Sequence, residues 1–349
     1  MTGPRLCGMN GAMNDAEVHL DDAEGDGPLI FGRVLDGKGG ARPIGWAEAQ
    51  GWRPGAPGEV LWLHLQRTEA GVHGWLQADL GIPEPTAELL TGEATRPRAF
   101  REGETLVATL RGINFNPGAA PEDMVSMQLW SDGTRLVTLR RVPLQTPRDT
   151  LDELDAGTGP ADAGALVTWL TEHMVHHMNA VIVDINEEID RLEEFDMEEA
   201  DNADMLAQIA AIRRNCLGLQ RHMGPQHVAL EAISRDAPQW FEGHDRREIA
   251  ETIALLRRFL DDIDVSKESA VVLMDELRAR SLAASQRTNY LLTIVAAVFL
   301  PLTFLTGLLG INVGGIPGAE DPAAFWLVVG LCAGIMLVQL ALFRRWKWL

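Results

Sequence analysis

Asn312 stands just past Tyr290 to Leu309, a run of twenty residues without a charged side chain. A side-chain amide at such a place offers a carbonyl oxygen to a cation, without the tight capture that a ring of carboxylates produces. Within the run, Asn289, Leu292, Ala296, Leu300, Thr303 and Gly307 recur at steps of three and four, which puts them on one side of a helix. That side is the smaller and more polar one. Ile294, Val295, Val298, Phe299, Leu302, Phe304, Leu305 and Leu308 elsewhere on the run are bulky. The chemistry open to such groups is recognition and passage of a cation, with no bond made or broken. The same spacing also serves close helix packing, and Leu292 and Leu300 either pack or close a path by dewetting. Asn312 can equally be a left-handed cap, with Gly310, Gly314 and Gly315 turning the chain.

Two further sets can meet a metal. His173, His176 and His177 sit at i, i+3 and i+4, so one helix face can present imidazoles, a ligand type that suits Zn²⁺ better than Mg²⁺. Glu172, Asp184 or another subunit would have to complete the set, and a solvated or packed face fits the spacing as well. Continuing the Asn289 face backward gives Leu282, Arg278, Asp275, Val271, Glu268, Asp264 and Asp261. Those carboxylates are either a solvated face or sites where divalent ions offset mutual repulsion at a vestibule or between subunits. Glu320 and Asp321 can raise cation concentration at a mouth.

The elements that position these residues are membrane helices. Tyr290 to Leu309 and Ala323 to Phe343 each approach the ~20 apolar residues that cross ~30 Å of hydrocarbon. Arg278, Arg280 and Arg287 precede the first span, Arg344, Arg345 and Lys347 follow the second, and the loop between carries only Glu320 and Asp321. The positive-inside rule then puts both termini in the cytoplasm and the acidic loop outside. Tyr290, Trp346 and Trp348 fit interfacial anchors. With this orientation the first span points its C-terminal carbonyls outward, which favours cations. A hydrated Mg²⁺ or Zn²⁺ suits such oxygen acceptors.

Upstream, an apolar stripe at Ile249, Ile253, Leu256, Leu260, Ile263, Ala270, Met274, Leu277 and Ala284, broken at Lys267, predicts a heptad helix. It has no proline before Pro301, so one helix is expected over about 245 to 309, near 100 Å long at ~1.5 Å per residue. Such a helix would couple a membrane segment mechanically to a soluble domain. Two more long helices are expected over 161 to 198 and 203 to 235, the latter open to interruption at Gly224-Pro225. Strands are expected at VLWLHLQ (60 to 66), at TLVATLRGINF (105 to 115), and on either side of the Ser131 to Thr134 turn. VHGWLQADLG and PTAELLTG read as short helices.

The fold class is therefore an α+β membrane protein, in seven expected segments. They are a disordered arm (1–25), a cytoplasmic α/β domain (26–160), a helical stalk (161–289), a first span (290–310), an external loop (311–322), a second span (323–343) and a basic tail (344–349). The chain carries a net charge of −20, and since the last sixty residues hold only five charges, residues 1–289 carry −21. That balance disfavours nucleic acid, leaving solubility or the gathering of cations as its use. Cys7, Cys216 and Cys332 have no zinc-knuckle or redox spacing. The N-terminal segment lacks a basic stretch followed by an apolar core, so no signal peptide is expected. No phosphate loop, nucleophile elbow or HExxH motif is present, so neither an enzyme nor a nucleotide-driven pump is expected, and no cofactor.

The stretch YLLTIVAAVFLPLTFLTGLLGIN, a short loop, a second span and the terminal RRWKWL together resemble the CorA-type divalent metal ion transporters. That family carries a Gly-Met-Asn tripeptide after its first span, with Pro-Leu-Thr-Phe upstream. Here Pro301 to Phe304 match the latter and Gly310-Ile311-Asn312 stands for the former. The departure at Ile311 is similar to the zinc-transporter, ZntB-like branch. A second Gly-Met-Asn at Gly8 to Asn10 follows no span and carries no such weight. The resemblance implies a homopentameric funnel in the inner membrane, with the long helix lining its pore and Asn312 at the outer selectivity site. It further implies that Asn289, Leu292, Leu300, Thr303, Gly310 and Asn312 face or close the path, and that bound divalent ions gate it by feedback. The expected function is Zn²⁺ transport, with two rivals: a Mg²⁺/Co²⁺ channel of the same family, and a membrane-anchored scaffold or metal sensor. Passive and proton-coupled movement both stay open, since the histidines can titrate near neutral pH.

Overall fold

A computed structural model of the chain describes residues 27–120, 122–194, 202–310 and 323–346. The expected N-terminal arm, Ile311, Asn312, Glu320, Asp321, Lys347 and Trp348 lie outside the described residues. The chain divides into two compact units, 1–273 and 274–349, and the division falls inside one long helix.

In the first unit a seven-stranded sheet runs in the order β2-β1-β3-β7-β6-β5-β4. The strands are β1 (Leu29–Leu35), β2 (Ala41–Pro43), β3 (Val60–Gln66), β4 (Arg98–Glu102), β5 (Thr105–Gly112), β6 (Val125–Ser131) and β7 (Arg135–Arg140). All neighbours are antiparallel except β3 and β7, where Leu61 to Gln66 run parallel to Arg135 to Arg140. Side chains alternate across a strand. Leu61, Leu63 and Leu65 therefore join Val107, Trp130, Val137 and Leu139 in one core. Three short helices cover that core: α1 (Trp46–Ala49), α2 (Val72–Ala78) and α3 (Glu84–Thr91), through Ala49, Trp75, Leu76, Ala87 and Leu90. Trp62 and His64 point to the other face, where the Trp62 indole N–H donates to Thr138 Oγ1 at 2.9 Å and His64 Nδ1 lies 2.8 Å from the same oxygen.

The expected strands at 60 to 66, 105 to 115 and around the Ser131 to Thr134 turn form, as do both short helices. β1 went unpredicted because LIFGRVL is buried along its whole length and shows no alternation. Its Arg33 is tolerated there because Asp155 accepts from the guanidinium at 3.3 Å. Asp155 belongs to α4 (Gln145–Ala156), a helix too polar to announce itself by an apolar stripe.

Beyond the sheet come α5 (Ala163–Glu194), α6 (Asn202–Arg235), α7 (Gly243–Leu309) and α8 (Ala324–Arg345). α6 forms as one helix and continues through Pro225, where the sequence leaves an interruption open. Buried Met223, Gln226 and Leu230 hold that stretch against its neighbours, and Gln226 Oε1 accepts from the Arg111 N–H of β5 at 2.6 Å. Tertiary packing thus offsets the lost donor.

α7 corrects the register of the expected stripe. After buried Asp245 in its first turn, its buried residues in the first unit are Ile249, Thr252, Leu256, Phe259, Ile263, Ser266, Ala270 and Leu273, an unbroken 4-3 alternation. Ile249, Leu256, Ile263 and Ala270 are shared with the expected stripe, while the other positions fall one residue earlier than Ile253, Leu260 and Met274. Ala284 is exposed. The break at Lys267 disappears because Ser266 occupies the seam and donates to Asn186 Oδ1 of α5 at 2.6 Å.

Candidate functional site

In the second unit the remainder of α7 and all of α8 are long and apolar enough to cross a membrane, and their spans are not buried within the chain. Leu292, Phe299, Leu300 and Phe304 on α7 and Phe325, Trp326 and Leu337 on α8 are exposed, as expected of side chains meant for lipid or for other subunits. Within the apolar span of α7 the half-buried positions are Ile294, Ala297, Val298, Leu302 and Leu305. On α8 they are Val328, Cys332, Ile335, Gln339 and Leu342, again at steps of four and three. The Gln339 amide donates to the Ala297 carbonyl at 3.2 Å, which ties the two stripes together.

Asn289, Leu292, Ala296, Leu300, Thr303, Gly307 and Gly310 are all exposed. Val298 follows Asn289 by nine residues, about two and a half turns at ~3.6 residues per turn, so the Asn289 side lies opposite the side that meets α8. Val295 and Phe299 flank it on one edge and Phe304 and Leu308 on the other. Its polar groups are available: among the described residues the Asn289 amide and the Thr303 hydroxyl make no hydrogen bond. By contrast the Thr293 and Thr306 hydroxyls are spent on carbonyls of their own helix, at 2.8 Å to Asn289 and 3.0 Å to Leu302. The helix closes at Gly310, whose N–H donates to the Thr306 carbonyl at 3.0 Å.

The four acids that continue the Asn289 face, Asp261, Asp264, Glu268 and Asp275, are exposed, and three of them have basic partners on their own helix. Asp261 lies 3.4 Å from Arg257, Asp275 lies 3.6 Å from Arg278, and Asp264 accepts from Lys267 and, at 2.9 Å, from Gln220 of α6. The Lys267 and Gln220 hydrogen bonds hold the Asp264 carboxyl below its usual range. Glu268 is exposed and has no partner among the described residues.

The three histidines do not form the single face that their spacing allows. His173 stacks on Trp169 with centroids 5.0 Å apart, its Nδ1 2.9 Å from the Trp169 carbonyl. His177 turns to α4, with Nε2 3.1 Å from Asp149 and Nδ1 3.3 Å from the Thr146 hydroxyl. His176 is exposed. Among the described residues no three His, Cys, Asp or Glu side chains stand close enough together to hold a metal ion. Neither Glu172 nor Asp184 completes a set.

One residue escaped attention in the sequence. Gln339 is the lone amide in an otherwise apolar span, and that isolation was the available signal.

A sheet domain, a long heptad helix and two terminal apolar helices of membrane length define a membrane protein. The chain belongs to the CorA-like Mg2+ transporter protein family, whose model matches residues 57–345. It is similar to the divalent cation transporter CmaX of Pseudomonas aeruginosa, 39% identical over 92% of this chain and 97% of the relative. It is also similar to the zinc transport protein ZntB of Pectobacterium atrosepticum, 34% identical over 90% of this chain and 94% of the relative. The solved structure of full-length CmaX superposes with a TM-score of 0.81 at 38% identity, covering 92% of this chain and 98% of that one. The protein is accordingly a divalent cation transporter with two C-terminal membrane helices, and not an enzyme.

Proposed function

We propose that the chain assembles as a homopentamer in the inner membrane and moves divalent cations, Zn²⁺ foremost, along the Asn289 to Gly307 side of α7. Two spans cannot enclose an aqueous path, so several copies must surround an axis and present the same helix to it. The observation that carries this reading is the position of that side: it is exposed, sets Asn289, Ala296, Thr303 and Gly307 beside Leu292 and Leu300, and lies opposite the side that meets α8.

At the outer end, a ring of Asn312 side chains meets a hydrated cation first, with Gly310 and Ile311 setting its position and Glu320 and Asp321 gathering ions at the mouth. Both termini face the cytoplasm. Zn²⁺ is preferred because Ile311 departs from the magnesium-type tripeptide and because relatives 34% identical are named as zinc transport proteins. The rival is a broader Mg²⁺/Co²⁺ path, favoured by a relative named only for divalent cations. No resident cofactor is invoked. Exposed Glu268 and Asp275 bind regulatory cations in this scheme, so Glu268→Gln with Asp275→Asn alters the metal dependence of flux.

The test is uptake into proteoliposomes with Zn²⁺, Mg²⁺ and Co²⁺ in turn, with and without a pH gradient. Zn²⁺ entry that Asn312→Ala abolishes supports the proposal. Entry that survives this change removes the Asn312 ring, and preference for Mg²⁺ or Co²⁺ transfers the assignment to the rival.

A further inference from the structure

Pro301 sits within the apolar part of α7 and has no N–H. In an α-helix that N–H would donate to the carbonyl four residues earlier, which is Ala297. The proline thus frees one particular carbonyl in a region where water is scarce and a bare polar group is costly. That same Ala297 oxygen accepts the hydrogen bond from the Gln339 amide of α8, at 3.2 Å. Proline position and glutamine position are independent features of the sequence, thirty-eight residues apart, yet they meet at one atom.

The other half of the Gln339 amide sharpens the case. Its Oε1 is buried and has no hydrogen-bond partner among the described residues. A leucine or methionine at 339 would pack in the α8 stripe without that orphan acceptor. The residue is therefore not explained by packing, and its donor meets the carbonyl that the proline deprives of its helical partner.

We propose that Gln339 is a positioning residue for the cation path: its side chain replaces the backbone bond that Pro301 removes. The replacement fixes how the part of α7 before the proline, with Asn289 and Ala296, is set against the part after it, with Thr303 and Gly310. Without it the helix is free to bend at Pro301, and the small polar side no longer runs as one stripe. The consequence for cation flux rests on the transport reading above, whereas the hydrogen bond itself does not.

The experiment is a double-mutant cycle in the full-length protein, with Gln339→Met, Pro301→Ala and both together. Thermal stability of the detergent-solubilised protein and Zn²⁺ and Mg²⁺ uptake into proteoliposomes are the two readouts. Gln339→Met alone is expected to lower the folded-to-unfolded ratio by roughly 3- to 18-fold, the range set by measured side-chain hydrogen bonds between membrane helices, and to reduce uptake. Pro301→Ala restores the N–H, so in that background Gln339→Met is expected to be neutral or stabilising, since it then removes only an orphaned amide. An equal loss in both backgrounds would assign Gln339 to packing and overturn the proposal. If Gln339→Met alone does not assemble, recovery of the double variant supports the bond and its failure to recover overturns it. Coupled stabilities without uptake of any metal by the parent protein would leave the bond in place and defeat the transport reading instead.

Discussion

Ser266 of α7 donates a 2.6 Å hydrogen bond to Asn186 of α5, and it does so from within the buried 4-3 seam of α7, at a position where the heptad would otherwise carry an apolar side chain. A polar pair in such a seam favours one register, because sliding one helix past the other leaves Asn186 without this donor while the Ser266 hydroxyl turns to the Asp262 carbonyl of its own helix, 2.8 Å away. Ser266→Ala is expected to cost ~1 kcal/mol and Asn186→Ala a similar amount, with the double variant losing less than the two together. Thermal unfolding of the four proteins measures the coupling, and strict additivity would show that the two side chains act separately.

The connection between α6 and α7 is anchored at Gly133, in the turn between β6 and β7. Its φ of +88° already favours glycine. A Cβ placed there would also approach Trp240 Cγ to 2.5 Å, while the Trp240 indole donates to the Glu104 carbonyl at 2.8 Å. Gly133→Ala therefore has to displace the tryptophan as well as strain the turn, at a cost of about 1–3 kcal/mol. Limited proteolysis should cleave the 236–242 connection faster in this variant; an unchanged digestion pattern and an unchanged Tm would contradict the contact.

Acid should weaken the protein before its carboxylates titrate. Burial, with Arg111 and Arg221 adding to it, lowers His222 from 6.5 to about 4. Burial, then Arg140, likewise holds His64 well below its usual value. Both are neutral when folded, whereas the unfolded chain takes up their protons below pH 6.5. Their contribution is complete above 6.5 and is lost as pH falls from there toward 4, where His222 protonates in the folded state too. Asp245, raised chiefly by burial, runs in the opposite sense, so comparison with His222→Gln isolates the histidine. The Tm of this variant should fall less steeply between pH 6.5 and 4.5, and parallel curves would refute the assignment.

The histidine triplet should be dispensable for transport. His173 and His177 are engaged by Trp169, Asp149 and Thr146, and His176 points to solvent. Replacing all three by asparagine is expected to leave Zn²⁺ uptake within twofold of the parent while lowering stability modestly through the lost His177 pair, ~0.2–1 kcal/mol for a partly exposed contact. Loss of uptake with unchanged stability would restore a metal role that the single chain does not display.

Much of this protein is local and was therefore readable from residue order. Two charge-free runs of membrane length, a helix uninterrupted from near residue 245 to Leu309 and the strands at Val60, Thr105, Val125 and Arg135 each announce themselves by length or period within a short window. The same holds for the side from Asn289 to Gly307, which is a property of one helix. What residue order left undecided depends on partners distant in the chain. Whether Pro225 breaks α6 was settled by buried neighbours, and which of two adjacent apolar positions enters the α7 seam was settled by the helices opposite it. The all-buried β1 showed no period because both of its faces are covered. Three histidines at helical spacing were separated by Trp169 on one side and α4 on the other, and the meeting of Gln339 with the carbonyl that Pro301 exposes required two helices to be packed side by side. Periodicity reports how a segment is covered, but the identity of what covers it exists only once the chain has folded back on itself.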